Sequence, residues 1–218
     1  MDKPLVSCLC LTRNRREWLP KAIACFQAQT YENRELVIVP DRLEDFAGLI
    51  PDDDLIRVLP GSHVPGEVVG AKRNRGCAAA VGELVAIWDD DDYSAPERLA
   101  YQVGRLQETG KAVHGFYSMK FTDGQRWWMY RGDRSWALGT SLLFRESWWQ
   151  RHPFQDVQIG QDERFSMVAN GARELISELD LGLMYATVHP GNTARRRMGS
   201  SNYQELQGFV WADAVRAA

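Results

Sequence analysis

The stretch Glu83-Leu84-Val85-Ala86-Ile87-Trp88-Asp89-Asp90-Asp91-Asp92 decides how this chain is read, because a short apolar run stops in four successive aspartates. Leu84 to Trp88 is too short for a typical helix and almost unbroken in apolarity, as expected of a strand buried on both faces of a sheet. The acids then stand at its carboxyl end, the edge where open α/β sheets place ligands. Four adjacent carboxylates repel one another, and enclosure raises the cost of keeping them charged, so the site favours proton uptake or a cation. Oxygen-only ligands point to Mg²⁺ or Mn²⁺, with phosphate and water completing the shell. The alternative for an arbitrary acidic run is a solvated turn; the buried strand in front of it favours the cation.

Working back from the acids, Val68 to Ala80 reads as a small-residue helix carrying Lys72, Arg73, Asn74 and Arg75, joined to the strand through Gly82. Leu5 to Thr12 reads as a first buried strand ending in the polar loop Thr12-Arg13-Asn14-Arg15. Trp18, Leu19, Ala22, Ile23 and Phe26 recur at spacings of three and four, which predicts a helix from Glu17 to about Gln29 with one apolar face. Glu35 to Val39 makes a second strand ending at Pro40-Asp41, so Asp41 is a second acid at a strand terminus. Leu55 to Leu59 makes a third, followed by a loop from Pro60 to Gly66. Strands alternating with helices over short joins predict right-handed crossovers and a mainly parallel sheet. Neither G-x-x-x-x-G-K-[ST] nor G-x-G-x-x-G is present, so a P-loop and a dinucleotide Rossmann site are not supported.

Beyond the acids, Pro96 suits a helix first turn with Ser94 as its cap, and the helix should run to about Thr109 before Gly110. Ala112 to Thr122 and Arg126 to Arg131 read as strands joined by the hairpin signal Asp123-Gly124. The turn Leu138-Gly139-Thr140-Ser141 precedes a short run, Leu142 to Phe144, and a helix start at Ser147-Trp148-Trp149. Gln161 opens a helix reaching about Asn170 and stopped by Gly171, with Asp162 and Glu163 at its positive end. Met184 to Val188 is a further strand leading to His189-Pro190-Gly191-Asn192, and Tyr203 to Ala217 has the spacing of an amphipathic helix.

At 218 residues the chain is most economically one domain, 1–218. Within it, 1–110 is the ligand-binding half, 111–200 a second half and 201–218 a closing helix. A net charge of −3 carries no electrostatic footprint for nucleic acid. Cys8, Cys10, Cys25 and Cys77 lack Cys-x-x-Cys spacing and read as buried thiols of a reducing compartment. No stretch approaches the roughly 20 apolar residues that span a bilayer, and the first residues lack a signal-peptide layout, so the expected location is cytoplasmic, with peripheral membrane contact open.

Together these pieces resemble the family 2 glycosyltransferases of the GT-A fold over most of the chain. Leu5 to Arg15 is similar to the family's opening strand and Thr-x-Asn-Arg loop, and Gln29-Thr30-Tyr31 with Glu35 to Val39 to its next helix end and strand. Lys72-Arg73-Asn74-Arg75-Gly76, Ala80-x-Gly82-Glu83 and Trp88 to Asp92 resemble its most distinctive block, with Pro96 and Leu99 following in place. Where the family often has paired acids after the second strand, this chain has Pro40-Asp41. The resemblance implies a GT-A α/β fold with a central, mainly parallel sheet flanked by helices and a smaller mixed sheet on the acceptor side. It also implies a nucleotide-diphosphate sugar donor, expected to be a UDP-sugar, a glycan or glycoconjugate acceptor, Mn²⁺ or Mg²⁺, and inversion at the anomeric carbon.

On that reading Asp91, with Asp89 in support and His189 as a third ligand, holds the cation, whose charge stabilises the departing diphosphate. Arg73 either adds a fixed cation at the phosphates or stacks near the base. Thr12, Asn14, Arg15, Asp41, Asn74, Asp89 and Asp90 line the nucleotide-sugar site. Asp162, matching the acid of the family's Glu-Asp pair with Gln161 in the place of the glutamate, is the base for the incoming hydroxyl. For Asp162 a first-turn helix charge is the alternative, and for His189 a structural histidine. Arg195-Arg196-Arg197 reads as either a basic lid or a solvated charge run, and His63, His114 and His152 as structural. Trp127, Trp128, Trp136, Trp148 and Trp149 read equally as core material or as stacking surfaces for sugar, with one or two expected to touch the acceptor and Trp136 favoured. Two other functions fit less well: a sugar-nucleotide nucleotidyltransferase, whose glycine-rich loop is missing from Thr12 to Arg15, and a degenerate sugar-nucleotide or glycan-binding module.

Overall fold

The computed structural model describes residues 3–46, 48–62, 64–194 and 198–211. Its elements run β1 (Val6–Thr12), α1 (Leu19–Gln27), β2 (Arg34–Pro40), β3 (Ile56–Val58), α2 (Val69–Ala79), β4 (Leu84–Ile87), β5 (Tyr93–Ser94) and α3 (Arg98–Thr109). There follow β6 (Val113–Ser118), β7 (Lys120–Thr122), β8 (Trp127–Tyr130), β9 (Leu143–Arg145), α4 (Glu146–Arg151), α5 (Gln161–Gly171), β10 (Leu175–Leu179), β11 (Met184–Thr187) and β12 (Tyr203–Glu205). Among the described residues, seven strands form a central sheet in the order β10-β6-β9-β4-β1-β2-β3, and five form a second in the order β12-β8-β7-β11-β5.

The central sheet is mainly parallel, as expected. β3, β2, β1 and β4 run together, β6 and β10 run together, and β9 lies antiparallel between the two groups. Alternate residues of β1 and β4 feed two cores, which is why these strands read as unbroken apolar runs. Cys8, Cys10, Ala86 and Trp88 face Ala22, Phe26 and Leu99 of α1 and α3. Leu9, Val85 and Ile87 face Cys77, Trp148 and Phe165 of α2, α4 and α5. Each large apolar side chain buried in this way contributes about 1.5–3 kcal/mol. Cys8, Cys10 and Cys77 are buried free thiols, and burial pushes Cys8 up to about 12.

The chain passes from one sheet to the other at several places. One is the Asp run itself, which leaves β4 and enters β5. Another is Met119, fully buried between β6 and β7. The expected single strand over 112–122 is therefore two strands in different sheets, because the apolar run continues through the bend and gives no signal of it.

Three further expectations are corrected. Ser94 is not a helix cap: it pairs with Met184 in β5, and its hydroxyl accepts a bond from Arg98 Nη1 at 2.8 Å. The helix expected from Tyr203 begins as a strand, since Tyr203, Gln204 and Glu205 pair with Tyr130, Met129 and Trp128, and the residues from 212 onward lie outside the described residues. β10 was not anticipated; its sequence alternates too little to stand out, and it is held by register with β6. Gly110 does end α3, at φ 69, a left-handed conformation that glycine adopts without strain. No helix among the described residues is long and apolar enough to cross a membrane.

Candidate functional site

A cleft of about 360 Å³ opens over the carboxyl ends of β1, β2 and β4. One wall is the sheet edge, with Thr12, Asp41, Asp89, Asp91 and Asp92; the other is the start of α5, with Gln161 and Asp162; Arg73 of α2 lies between them.

The four aspartates have different surroundings. Asp92 is a structural pin: its Oδ2 accepts from Thr140 Oγ1 at 2.5 Å and its Oδ1 from Thr187 N at 2.9 Å, so it joins the end of β4 to β11. Burial, with Asp91 and Asp89 beside it, holds its carboxyl well above the usual range. Asp90 is buried and accepts from Arg15 Nη1 at 2.6 Å. Burial pushes it up to about 6 against the pull of Arg15. Asp91 gathers three donors on Oδ2: Arg15 Nη1 at 2.9 Å, His189 Nε2 at 2.8 Å and Asn192 Nδ2 at 3.1 Å. Asp89, partly exposed on the cleft, accepts no side-chain hydrogen bond from a described residue, and burial raises its carboxyl while Arg73 opposes the shift.

His189 is fixed on three sides. Its ring stacks on Trp18 at 4.8 Å, Nδ1 accepts from Gly191 N at 3.1 Å, and Nε2 faces Asp91. In the neutral ring the Nδ1 acceptor role puts the proton on Nε2, aimed at Asp91. Arg15 also reaches Gly191 O at 2.6 Å, so the loop after β11 is tied to the loop after β1.

On the opposite side, Asp41 is clamped by Lys72 Nζ and by Arg13 Nε at 3.2 Å. Lys72 is buried, donates to Thr12 O at 2.7 Å, and is lowered from its ordinary value by burial. Arg73 is buried over the Phe154 ring and donates Nη1 to Gln161 Oε1 at 2.6 Å, with Asp162 Oδ2 at 3.9 Å from the same nitrogen. Its Nε is a buried donor with no partner among the described residues. Gln161 is thus a neutral acceptor that holds the arginine without cancelling its charge, and Asp162 pairs with it only at long range.

The structure brings Thr12, Arg15, Asp41, Arg73, Asp89, Asp91 and Asp162 onto one cleft, with Asp90 and His189 directly behind it. Three expected residues stand apart. Asn74 spends its amide on Trp149 Nε1, Phe154 and Asp156, tying α2 to the segment before α5. Trp136 packs on Tyr130 at 6.0 Å and accepts from Ser177 at its carbonyl, and none of the five tryptophans lines the cleft. Asn14, at φ 50, lines a neighbouring cavity of about 350 Å³ that shares Arg13 and Asp41 with the cleft. His114 is buried between Gln102 and Glu178, and burial lowers it to about 4. Arg195 to Arg197 and His63 lie outside the described residues.

Lys72, Thr140, Gln161 and Asn192 were not singled out as site residues. Lys72 and Asn192 had a local signal, as neighbours of Arg73 and His189. Thr140 and Gln161 act through partners 48 and 88 residues away, which no spacing reveals.

As to metal, no group of three His, Cys, Asp or Glu among the described residues forms a ready cage. The donor set still fits one. Asp89 takes no side-chain hydrogen bond from a described residue, and beside it the three donors to Asp91 all lie on Oδ2, leaving Oδ1 without one among the described residues. Both carboxylates offer oxygen ligands to a hard cation that keeps phosphate and water.

Comparison with known proteins agrees with the fold. The chain is 28% identical over 131 residues to the putative glycosyltransferase EpsH of Bacillus subtilis, covering 56% of this chain and 36% of that protein. It is 26% identical over 135 residues to glycosyltransferase GlyG of Streptococcus pneumoniae, covering 59% and 44%. The chain therefore spans less than half the length of these curated relatives. S. aureus TarS 1–349, in complex with UDP-GlcNAc, matches the fold at TM-score 0.69 and 18% identity over 87% of this chain and 60% of that one. Mannosyltransferase PcManGT of Pyrobaculum calidifontis, in complex with GDP-Man and Mn²⁺, matches at 0.64 and 16% over 86% and 57%. A model of glycosyl transferase family 2 matches residues 7–172, and the chain belongs to that family.

Proposed function

We propose that the chain is an inverting glycosyltransferase that moves a sugar from a nucleoside-diphosphate sugar, a UDP-sugar in the first instance, to an acceptor hydroxyl. The observation that carries this is the juxtaposition in one cleft of Asp89 and Asp91 on the sheet edge with Asp162 on α5. Thr12 and Asp41 at the ends of β1 and β2, with Lys72 beneath them, offer hydrogen-bonding groups for the nucleoside. Arg73, buried and with its Nε unpartnered among the described residues, meets the diphosphate, and its attraction for that group strengthens as the sugar–phosphate bond lengthens and negative charge gathers on the leaving oxygen. Asp91 and Asp89, with His189 behind Asp91, would hold Mn²⁺ or Mg²⁺, which supplies Lewis-acid stabilisation of the diphosphate.

Asp162 approaches from the opposite wall. Its carboxylate takes the proton of the acceptor hydroxyl as that oxygen bonds to the anomeric carbon and the carbon–oxygen bond to the diphosphate breaks, with the electron pair leaving on the diphosphate. Attack from the side away from the leaving group inverts the centre. TarS is in complex with UDP-GlcNAc and PcManGT with GDP-Man, nucleotide sugars of different bases and sugars, so the donor is chosen by experiment. A thermal-shift screen across UDP-, GDP- and dTDP-sugars with Mn²⁺, followed by calorimetry and a nucleotide-release assay, tests the proposal. Cation-dependent binding of one donor class with turnover is the expected result; binding without any turnover across donors would make the chain a binding module instead.

A further inference from the structure

The 3₁₀ turn Gly139–Ser141 touches both walls of the cleft. Thr140 gives its hydroxyl to Asp92, and its carbonyl is held from below by Nη2 of the buried Arg98 at 3.0 Å. The same nitrogen donates to Ile87 O at 2.9 Å at the end of β4. Gln102 Nε2 donates to Ser141 O at 2.8 Å, and Ser141 Oγ accepts from Phe116 N at 2.8 Å. The turn is thus fixed to the Asp run and to the central sheet by buried hydrogen bonds, which makes it a rigid reference point.

Asp162 rests against that reference point. A β-carbon built on Gly139 would stand 1.9 Å from Asp162 Oδ2, 2.6 Å from its Cγ and 2.7 Å from its Cβ. These lie far inside the ~3.5 Å at which carbon atoms meet comfortably. Because the whole side chain of Asp162 lies in the space, a rotation of its tip does not clear it. Nor do hydrogen bonds from described residues hold the carboxylate, and its ion-pair partner among them is Arg73 Nη1 at 3.9 Å. Its place is set by the first turn of α5 and by the bare backbone of Gly139.

We propose that Gly139 is a positioning residue, whose missing side chain is the seat that holds the Asp162 carboxylate at a fixed offset from the aspartate run. This rests on the reading of Asp162 as the base. Any side chain at position 139 evicts the carboxylate while leaving the nucleotide side of the cleft intact.

The test combines a kinetic and a thermal double-mutant cycle. Turnover is followed as nucleotide release from the donor that the screen selects, and nucleotide binding with UDP and Mn²⁺. Gly139→Ala should lower kcat by about a hundredfold, the scale of a misplacement near 1 Å, with UDP affinity unchanged. In an Asp162→Asn background the same change should alter kcat little, because the two act on one event. Independently of activity, Gly139→Ala should lower Tm in the wild type and not in an Asp162→Gly background, where Cβ as well as the carboxylate is gone. If Gly139→Ala is too unstable to purify, recovery of folding in Gly139→Ala/Asp162→Gly supports the seat. Equal Tm losses in both backgrounds, or wild-type kcat in Gly139→Ala while Asp162→Asn is inactive, would overturn it with the base assignment standing. Wild-type kcat in Asp162→Asn would remove the base assignment, and the seat with it.

Discussion

The two walls of the cleft hold acids in opposite ways. On the sheet edge, Asp90, Asp91 and Asp92 are each tied by hydrogen bonds, Asp91 to three donors on one oxygen, and only Asp89 is open. On α5, Asp162 accepts no hydrogen bond from a described residue and meets its single cation at 3.9 Å. Tied carboxylates keep their geometry when a charged ligand arrives, which suits a cation and diphosphate. An untied one keeps its lone pairs for a proton, which suits a base. On the proposed reading, electrostatic and acid–base work fall to two elements that are joined through Arg73 and the turn at Gly139.

Breaking the helical wall should have the largest effect. Asp162→Asn should cut kcat by about 10²–10⁴-fold, the usual contribution of a general base, with donor affinity preserved by calorimetry. Asp91→Ala attacks the other wall and should do the reverse, removing the cation-dependent part of donor binding. It also strips Arg15, His189 and Asn192 of their shared acceptor, so the loop after β11 should become more susceptible to proteolysis. Were the two variants to show the same pattern, the division of labour would be lost.

Most of the sheet-edge wall was legible in the sequence, because its chemistry is local. A strand buried on both faces must read as an apolar run, and residues just past its end must lie at the sheet edge; Thr12, Asp41 and Asp89 to Asp92 all follow from that. The helical wall was legible only through resemblance, since a first-turn aspartate is ordinary on its own account. What was missed shares a cause. Arg98, Gln102 and Thr140 form a buried polar network joined by contacts distant in sequence, and the bend at Met119 lies inside a continuous apolar run. Ser94 has the position of a cap, since a serine before a proline-led helix is a good one, but Arg98 claims its hydroxyl instead.

Smaller effects sharpen the comparison. Thr140→Val keeps shape but leaves Asp92 Oδ2 without its donor, and chemical denaturation should register a loss of about 1–3 kcal/mol. The cation should matter more as pH rises. Asp90 titrates at about 6 in the folded protein against an ordinary 3.8, so the folded state holds the additional proton between those values. Without cation, stability therefore declines as pH rises through that window; a cation displaces the protons and offsets the decline. The Tm increase given by Mn²⁺ should be about a few degrees greater at pH 7.5 than at pH 5. An increase independent of pH would mean that these acids do not meet the ion.

The most direct measurement is a crystal structure of the chain with Mn²⁺ and UDP. The ion should lie against Asp91 and Asp89 with the diphosphate toward Arg73, leaving Asp162 free across the cleft. Nucleotide and ion bound elsewhere, with this cleft empty, would contradict the account.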